Sequence, residues 1–201
     1  MFQKDRFVED CREAVKGGQK AVREVVLEAV GDPAGIISEL GEPTQAGVFP
    51  LYGGTDATVI HFVWAPWMTL LPHNHNMFAV IGIYSGRENN MFWRRLPEGG
   101  NGKGGRAGKA SGPGIEAAGA DSLGTGQVAT LGRDIIHSVA NPIAKMTSAL
   151  HVYGGDFFNP PEPRSQWDHE SLIEQPWDMD HTRATFRQAE GRYNAGLAAG
   201  V

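Results

Sequence analysis

Cysteine is almost missing from this chain of 201 residues, and Cys11 alone excludes an internal disulfide, a cysteine-based zinc site and a protein-bound iron–sulfur cluster. Basic excess is missing too: 18 Lys and Arg stand against 23 Asp and Glu, a formal charge of −5. No Lys/Arg cluster rises above that background, so nucleic acid is not an expected partner. No apolar run approaches the ~20 residues that a membrane span requires. The opening MFQKDRFVEDCREA has neither the apolar stretch nor the small-residue cleavage site of a signal peptide. These absences lead us to expect a soluble, cytoplasmic, globular protein with no membrane partner, a monomer or small homo-oligomer. At this length a core can be buried without disulfide staples.

What is present divides into three expected parts. Residues 1–47 read as a helical N-terminal extension packed on the rest. Phe7, Cys11, Ala14, Val15, Val22, Val25, Val26 and Val30 recur at three-and-four spacing. Gly17-Gly18 breaks this run into two helices, and Asp32-Pro33 starts a third that ends at Gly41. Residues 48–158 change period. Ala57–Trp64, Met68–His75, Phe78–Tyr84, Met91–Arg95, Gln127–Leu131, Ile135–Val139 and Ser148–Tyr153 are short β-branched and aromatic runs bounded by Gly, Pro, Asn and Asp. Many short strands with regular turns imply an all-β sandwich or barrel. A Gly-rich insert at 97–126 interrupts them and reads as a surface loop. Its GK pairs lack the glycine five residues upstream, and Ala110 follows Lys109, so it is not a phosphate-binding loop. Residues 159–201 form a C-terminal extension: a Pro-rich turn, Trp167 and Trp177 packing back on the barrel, and a helix from about Asp180 with Ala184, Arg187, Gln188 and Leu197 around a mixed face.

The chemistry is carried by histidines on strands. Pro72-His73-Asn74-His75 places two imidazoles two residues apart, which in a strand aims both at one face. His137 lies in another β-type run, GRDIIHSVANP. Two histidines on one strand and a third on its partner occupy one side of a metal ion and leave the other open, and imidazole suits Fe, Zn, Ni and Cu. The remaining histidines have plainer assignments: His61 as a hydrogen-bonded wall residue, His169 and His181 as exposed. Glu88, in GRENN, reads as a turn residue.

His73-x-His75, then Ala79 and Gly86, followed by Gly126, Gly132, Asp134, His137 and Asn141 as G-x5-G-x-D-x2-H-x3-N, closely resemble the two sequence motifs of the cupin superfamily. The resemblance implies an all-β cupin double-stranded β-helix barrel with helical N-terminal and C-terminal flanks. Ala79 stands where many cupins carry a metal-binding Glu, which leaves three histidines and no carboxylate. That ligand set, together with PHNH, Trp64 and the run ALHVYGGDF, resembles the cysteine dioxygenase-like thiol dioxygenases. The likeness runs over roughly 58–158 without the insert. It implies Fe(II) on His73, His75 and His137, with His151 and Tyr153 matching two members of that family's Ser-x-His-x-Tyr triad. Ala149 replaces the Ser, and Ser148 is one position off, on the opposite face.

The implied reaction adds both atoms of dioxygen to the sulfur of a small thiol, giving a sulfinate. Tyr153 would hydrogen-bond the bound oxygen or substrate, and His151 would orient its hydroxyl. The family's carboxylate-clamping Arg has no counterpart in Leu51–Thr55, and no Cys follows His75 to form a thioether with Tyr. Arg94 and Arg95 are the substrate-binding candidates, with Arg87 and Arg133 behind them. Two other classes of function fit the same residues. One is a non-oxidative isomerase, lyase or hydrolase using zinc, nickel or manganese. The other is a metal-cupin binding or sensor protein.

Overall fold

The computed structural model describes residues 1–97 and 114–198. Three helices come first, α1 (Lys4–Lys16), α2 (Gln19–Val30) and α3 (Pro33–Leu40). Among the described residues eleven strands follow: β1 (Gly47–Gly53), β2 (Thr58–Trp64), β3 (Thr69–Asn74), β4 (Ala79–Ser85), β5 (Arg87–Arg95), β6 (Ile115–Gly124), β7 (Val128–Leu131), β8 (Ile136–Ala140), β9 (Thr147–Tyr153), β10 (Ser165–Trp167) and β11 (Glu174–Pro176). Helix α4 (Met179–Ala198) closes the described chain. No helix among the described residues is long and apolar enough to cross a membrane.

The strands pair antiparallel as nested couples: β2 with β9, β3 with β8, β4 with β7 and β5 with β6. A long hairpin has in effect been folded over, so alternate couples fall into two sheets. One runs β1-β2-β9-β4-β7 and the other β11-β10-β3-β8-β5-β6. This nesting is the double-stranded β-helix of the cupin fold.

Alternation of side chains along each strand sorts the core into two layers. Ala79, Ile81 and Ile83 of β4 and Ala149 and Tyr153 of β9 fill the barrel interior. Val80, Tyr84, Leu150 and Val152 face the other way, onto the helices. There Phe7 and Cys11 of α1 and Val22, Val26 and Val30 of α2 cover them at i, i+4 spacing. With both faces covered, β2 and β9 have every residue buried. Gly82 is the point of closest approach: a Cβ there would fall 2.5 Å from Val26 Cγ1 and 2.8 Å from Val30 Cγ1. Asp32 caps α3 by accepting from Gly35 N at 2.9 Å, with Pro33 in the first turn.

The region 97–126 differs from the expected insert. Residues 98–113 lie outside the described residues, but Ile115–Gly124 is strand β6, paired along the whole of β5. Its middle is exposed and small, so no alternating apolar signal marks it. The α4 face also differs. Thr182, Phe186 and Ala189 are buried and Tyr193 packs with them, whereas Arg187, Gln188 and Leu197 are exposed. Phe186 packs tilted on Trp64 with ring centroids 5.0 Å apart, so α4 closes the barrel interior beside the histidines. Trp167 is fully buried against Ile115 and Ile136.

Candidate metal centre

The end of β3 and the middle of β8 bring three imidazoles together. His73 lies directly opposite His137 in the antiparallel register, and His75 follows on the same face, two residues on. One nitrogen of each falls within 4.8 Å of the others, the one such group of three ligand-type side chains among the described residues. His75 Nε2 and His137 Nε2 are 3.3 Å apart. All three rings are at most 4% exposed.

Hydrogen bonds fix which nitrogen is offered. His73 Nδ1–H donates to the Leu71 carbonyl at 2.8 Å, and His137 Nδ1–H donates to Asn90 Oδ1 at 2.7 Å. Each therefore keeps its Nε2 lone pair for the centre. Burial pushes the His73 imidazole down to about 4, with the nearby Arg164 charge acting the same way. His75 and His137 lie well below the ordinary value, first through burial and then through their neighbouring histidines. Three neutral imidazoles with converging lone pairs fit a divalent first-row transition metal; a hard cation such as Mg²⁺ or Ca²⁺ wants oxygen ligands instead. Ala79 faces the same interior opposite Tyr153 in register, so β4 adds no carboxylate.

Beside the histidines, His151 Nδ1 and the Tyr153 hydroxyl are 3.1 Å apart on β9. The Tyr153 ring stands edge-on to His75, with centroids 5.1 Å apart. Burial pushes the Tyr153 hydroxyl up, the Arg164 charge opposes this, and Glu88 adds to it. The cavity over this group is tight, about 20 Å³, and is roofed by Trp177, Met179 and Thr182 from the C-terminal segment. Trp177 packs on His73 itself at 4.9 Å between centroids.

Arg94 and Arg95 are not brought to this cavity. Arg94 is exposed and paired with Glu116 at 2.7 Å, and Arg95 is paired with Glu174 across the sheet and stacked on Trp167. Arg133 is paired with Glu162, and Arg87 bonds Ser122. The cation near the histidines is Arg164, set in a Pro-rich turn whose local sequence carries no sign of a buried charge. It is 5% exposed and lies between the rings of Phe157 (4.0 Å) and Trp177 (4.6 Å), both of which line the cavity. Its Nε and Nη1 have no hydrogen-bond partner among the described residues. Burial lowers its pKa to about 10, against the pull of Tyr153.

Glu88 is also relocated. It is no turn residue: it lies on β5, points inward and is fully buried. His61 does belong to the outer wall, 2.8 Å from the Tyr84 hydroxyl, and His169 and His181 are exposed.

No protein-family model matches the chain, and no curated protein matches it in sequence. Among solved structures it is similar to an RmlC-like cupin family protein with a double-stranded β-helix fold from Methanocaldococcus jannaschii. The identity is 10% and the TM-score 0.41, over 57% of this chain and 84% of that one. It is also similar to oxalate decarboxylase from Bacillus subtilis, at 12% identity and TM-score 0.38 over 56% of this chain and 24% of that one. A recombinant oxalate oxidase in complex with glycolate gives 13% and 0.39 over 57% and 53%. The chain thus spans about a quarter and about half of those two oxalate proteins. Likenesses this loose carry no argument about chemistry. The cupin fold of this chain follows from the nested pairing of its own strands.

Proposed function

We propose that this protein is an iron-dependent thiol dioxygenase acting on a small thiol that carries a carboxylate. The observation that carries this reading is the buried guanidinium of Arg164, with Nε and Nη1 unpartnered among the described residues, packed behind the Phe157 and Trp177 walls of the cavity that holds a carboxylate-free cluster of three histidines. Ferrous iron, when bound by His73, His75 and His137, supplies positions for thiolate and dioxygen and the redox capacity to add both oxygen atoms to sulfur. Neutral ligands leave the metal's charge uncompensated, so a thiolate is favoured there.

The chain's own residues supply the rest. Arg164 adds a second positive charge in a low-dielectric setting, and an unpaired buried charge is costly. A carboxylate matches its planar donors. A mercapto-carboxylate, with one negative charge at each end, meets both demands. An ammonium group finds no carboxylate on the cavity wall, which disfavours cysteamine and handicaps cysteine. Tyr153 presents its hydroxyl to the ligand, His151 holds that hydroxyl, and the roof of Trp177 and Met179 keeps water out and limits size.

The test is dioxygen uptake by the Fe(II)-loaded protein with 3-mercaptopropionate, mercaptosuccinate, cysteine and cysteamine. The expected result is a sulfinate product and preference for the amine-free acids. Arg164→Met should raise KM for them about tenfold or more, since a charge-assisted pair is worth roughly 1.5–3 kcal/mol. A zinc- or nickel-dependent protein with no uptake from any thiol would instead favour the non-oxidative enzyme, and tight ligand binding without turnover the sensor.

A further inference from the structure

One polar group in the barrel interior touches neither the three histidines nor Arg164. Glu88 is a fully buried carboxylate on β5. Its Oε1 accepts from Asn90 Nδ2 at 2.9 Å, and Asn90 Oδ1 is the acceptor that orients the metal-ligand candidate His137. Its Oε2 has no hydrogen-bond partner among the described residues, and neither has His151 Nε2, which it faces at 3.8 Å. Ala149, inward-facing on the same strand as His151, offers no hydroxyl in its place. Buried polar atoms this isolated are rare. A carboxylate oxygen accepts only, and an imidazole nitrogen can donate, so each is the natural partner of the other.

We infer that Glu88 is a positioning residue that selects the tautomer of His151 and thereby the direction of the bond to Tyr153. With the proton on Nε2, directed at Glu88, His151 Nδ1 accepts from the Tyr153 hydroxyl. The Tyr153 oxygen then turns its lone pairs to the cavity, where they can accept from the S–H of an incoming thiol. Through Asn90 the same carboxylate fixes the ring of His137. One side chain therefore sets the orientation on both sides of the cavity. Conserving the shape while changing the chemistry reverses the arrangement. In Glu88→Gln, Asn90 still donates and so holds the amide oxygen, which leaves the amide NH₂ facing His151 Nε2. That nitrogen must now accept, the proton moves to Nδ1, and His151 becomes the donor to Tyr153.

The kinetic consequence rests on the thiol dioxygenase reading, but the tautomer does not. The experiment is ¹⁵N imidazole NMR of the full-length, metal-free protein near pH 8, with His151 assigned by its loss in His151→Asn. Wild-type protein should show Nε2–H and an unprotonated Nδ1, and Glu88→Gln the opposite. Glu88→Gln should also lower kcat on the best thiol about tenfold with KM little changed, the scale seen for groups that orient ligands through a second residue. An Nδ1–H tautomer in the wild type overturns the inference even if the variant fails to fold, and so does an unchanged tautomer in a folded variant. Correct tautomers in a protein that oxidises no thiol would leave Glu88 in this role and sink the dioxygenase reading instead.

Discussion

The roles proposed for the histidines and for Tyr153 are separable, and substitutions can tell them apart. His73 offers Nε2 because its Nδ1–H is held by Leu71 O, so His73→Ala removes one of the three candidate ligands and should abolish metal binding outright. Tyr153 touches His75 only ring to ring, and its hydroxyl is held by His151. Tyr153→Phe keeps the packing and loses one oxygen. We expect metal stoichiometry unchanged by elemental analysis and kcat lowered roughly 10- to 100-fold. Equal loss of metal in both variants would mean that Tyr153 is structural. At this scale the sequence is readable where a residue type recurs at strand spacing, as in His73-x-His75. It is opaque where meaning depends on distant packing. Glu88 sits in the polar run GRENN, and nothing local distinguishes a buried carboxylate from a turn. Arg164 sits among prolines, and only Phe157 and Trp177, brought together by the fold, bury it.

The elements were legible in proportion to how apolar their two faces are. β2, β4 and β9, buried almost throughout, read as runs dominated by aliphatic, β-branched and aromatic residues. β5 read only from Met91 because its inward residues at the other end are Glu88 and Asn90. β6, an edge strand with an exposed, Ala- and Gly-containing middle, and the three-residue β10 and β11 gave no periodic signal at all. The seating of α2 on β4 depends on Gly82, where the valines of the helix occupy the space of a Cβ. Gly82→Ala must push α2 away or bend β4, and we expect a loss of about 1–3 kcal/mol, the usual scale of overpacking. In thermal unfolding this is roughly 2–4 °C per kcal/mol for a chain of this size. Because β4 lies beside Tyr153 in register, the variant should also lower activity more than its stability loss alone predicts. A melting temperature equal to wild type would show that the helix layer yields without strain.

Taken whole, the molecule hides an unusual number of neutral imidazoles, and this sets its response to acid. His61 and His73 are each held down to about 4 by burial, and His75 and His137 lie well below the ordinary 6.5. In the unfolded chain all four protonate near 6.5, so between that value and about 4 the unfolded state binds more protons than the folded one. Stability therefore rises with pH across this window, is fully expressed above about pH 7, and is lost as pH falls, by up to ~1.4 kcal/mol per pH unit for each histidine. Carboxylates alone would begin to act lower: the depressed Asp56, Asp168 and Glu174 titrate below the ordinary carboxylate range. The metal-free protein should thus show a melting temperature that is flat from pH 8 to 7 and falls steeply from about 6.5. His61→Phe, on the outer wall and away from the cavity, should shallow that fall by about one proton without changing metal uptake. A divalent metal binds the neutral imidazoles, so a saturating ion should raise the melting temperature at neutral pH by mass action and lose that effect on acidification. A metal-free melting temperature that stays level down to pH 5 would mean that these histidines take up protons in place, and that the interior around them admits water.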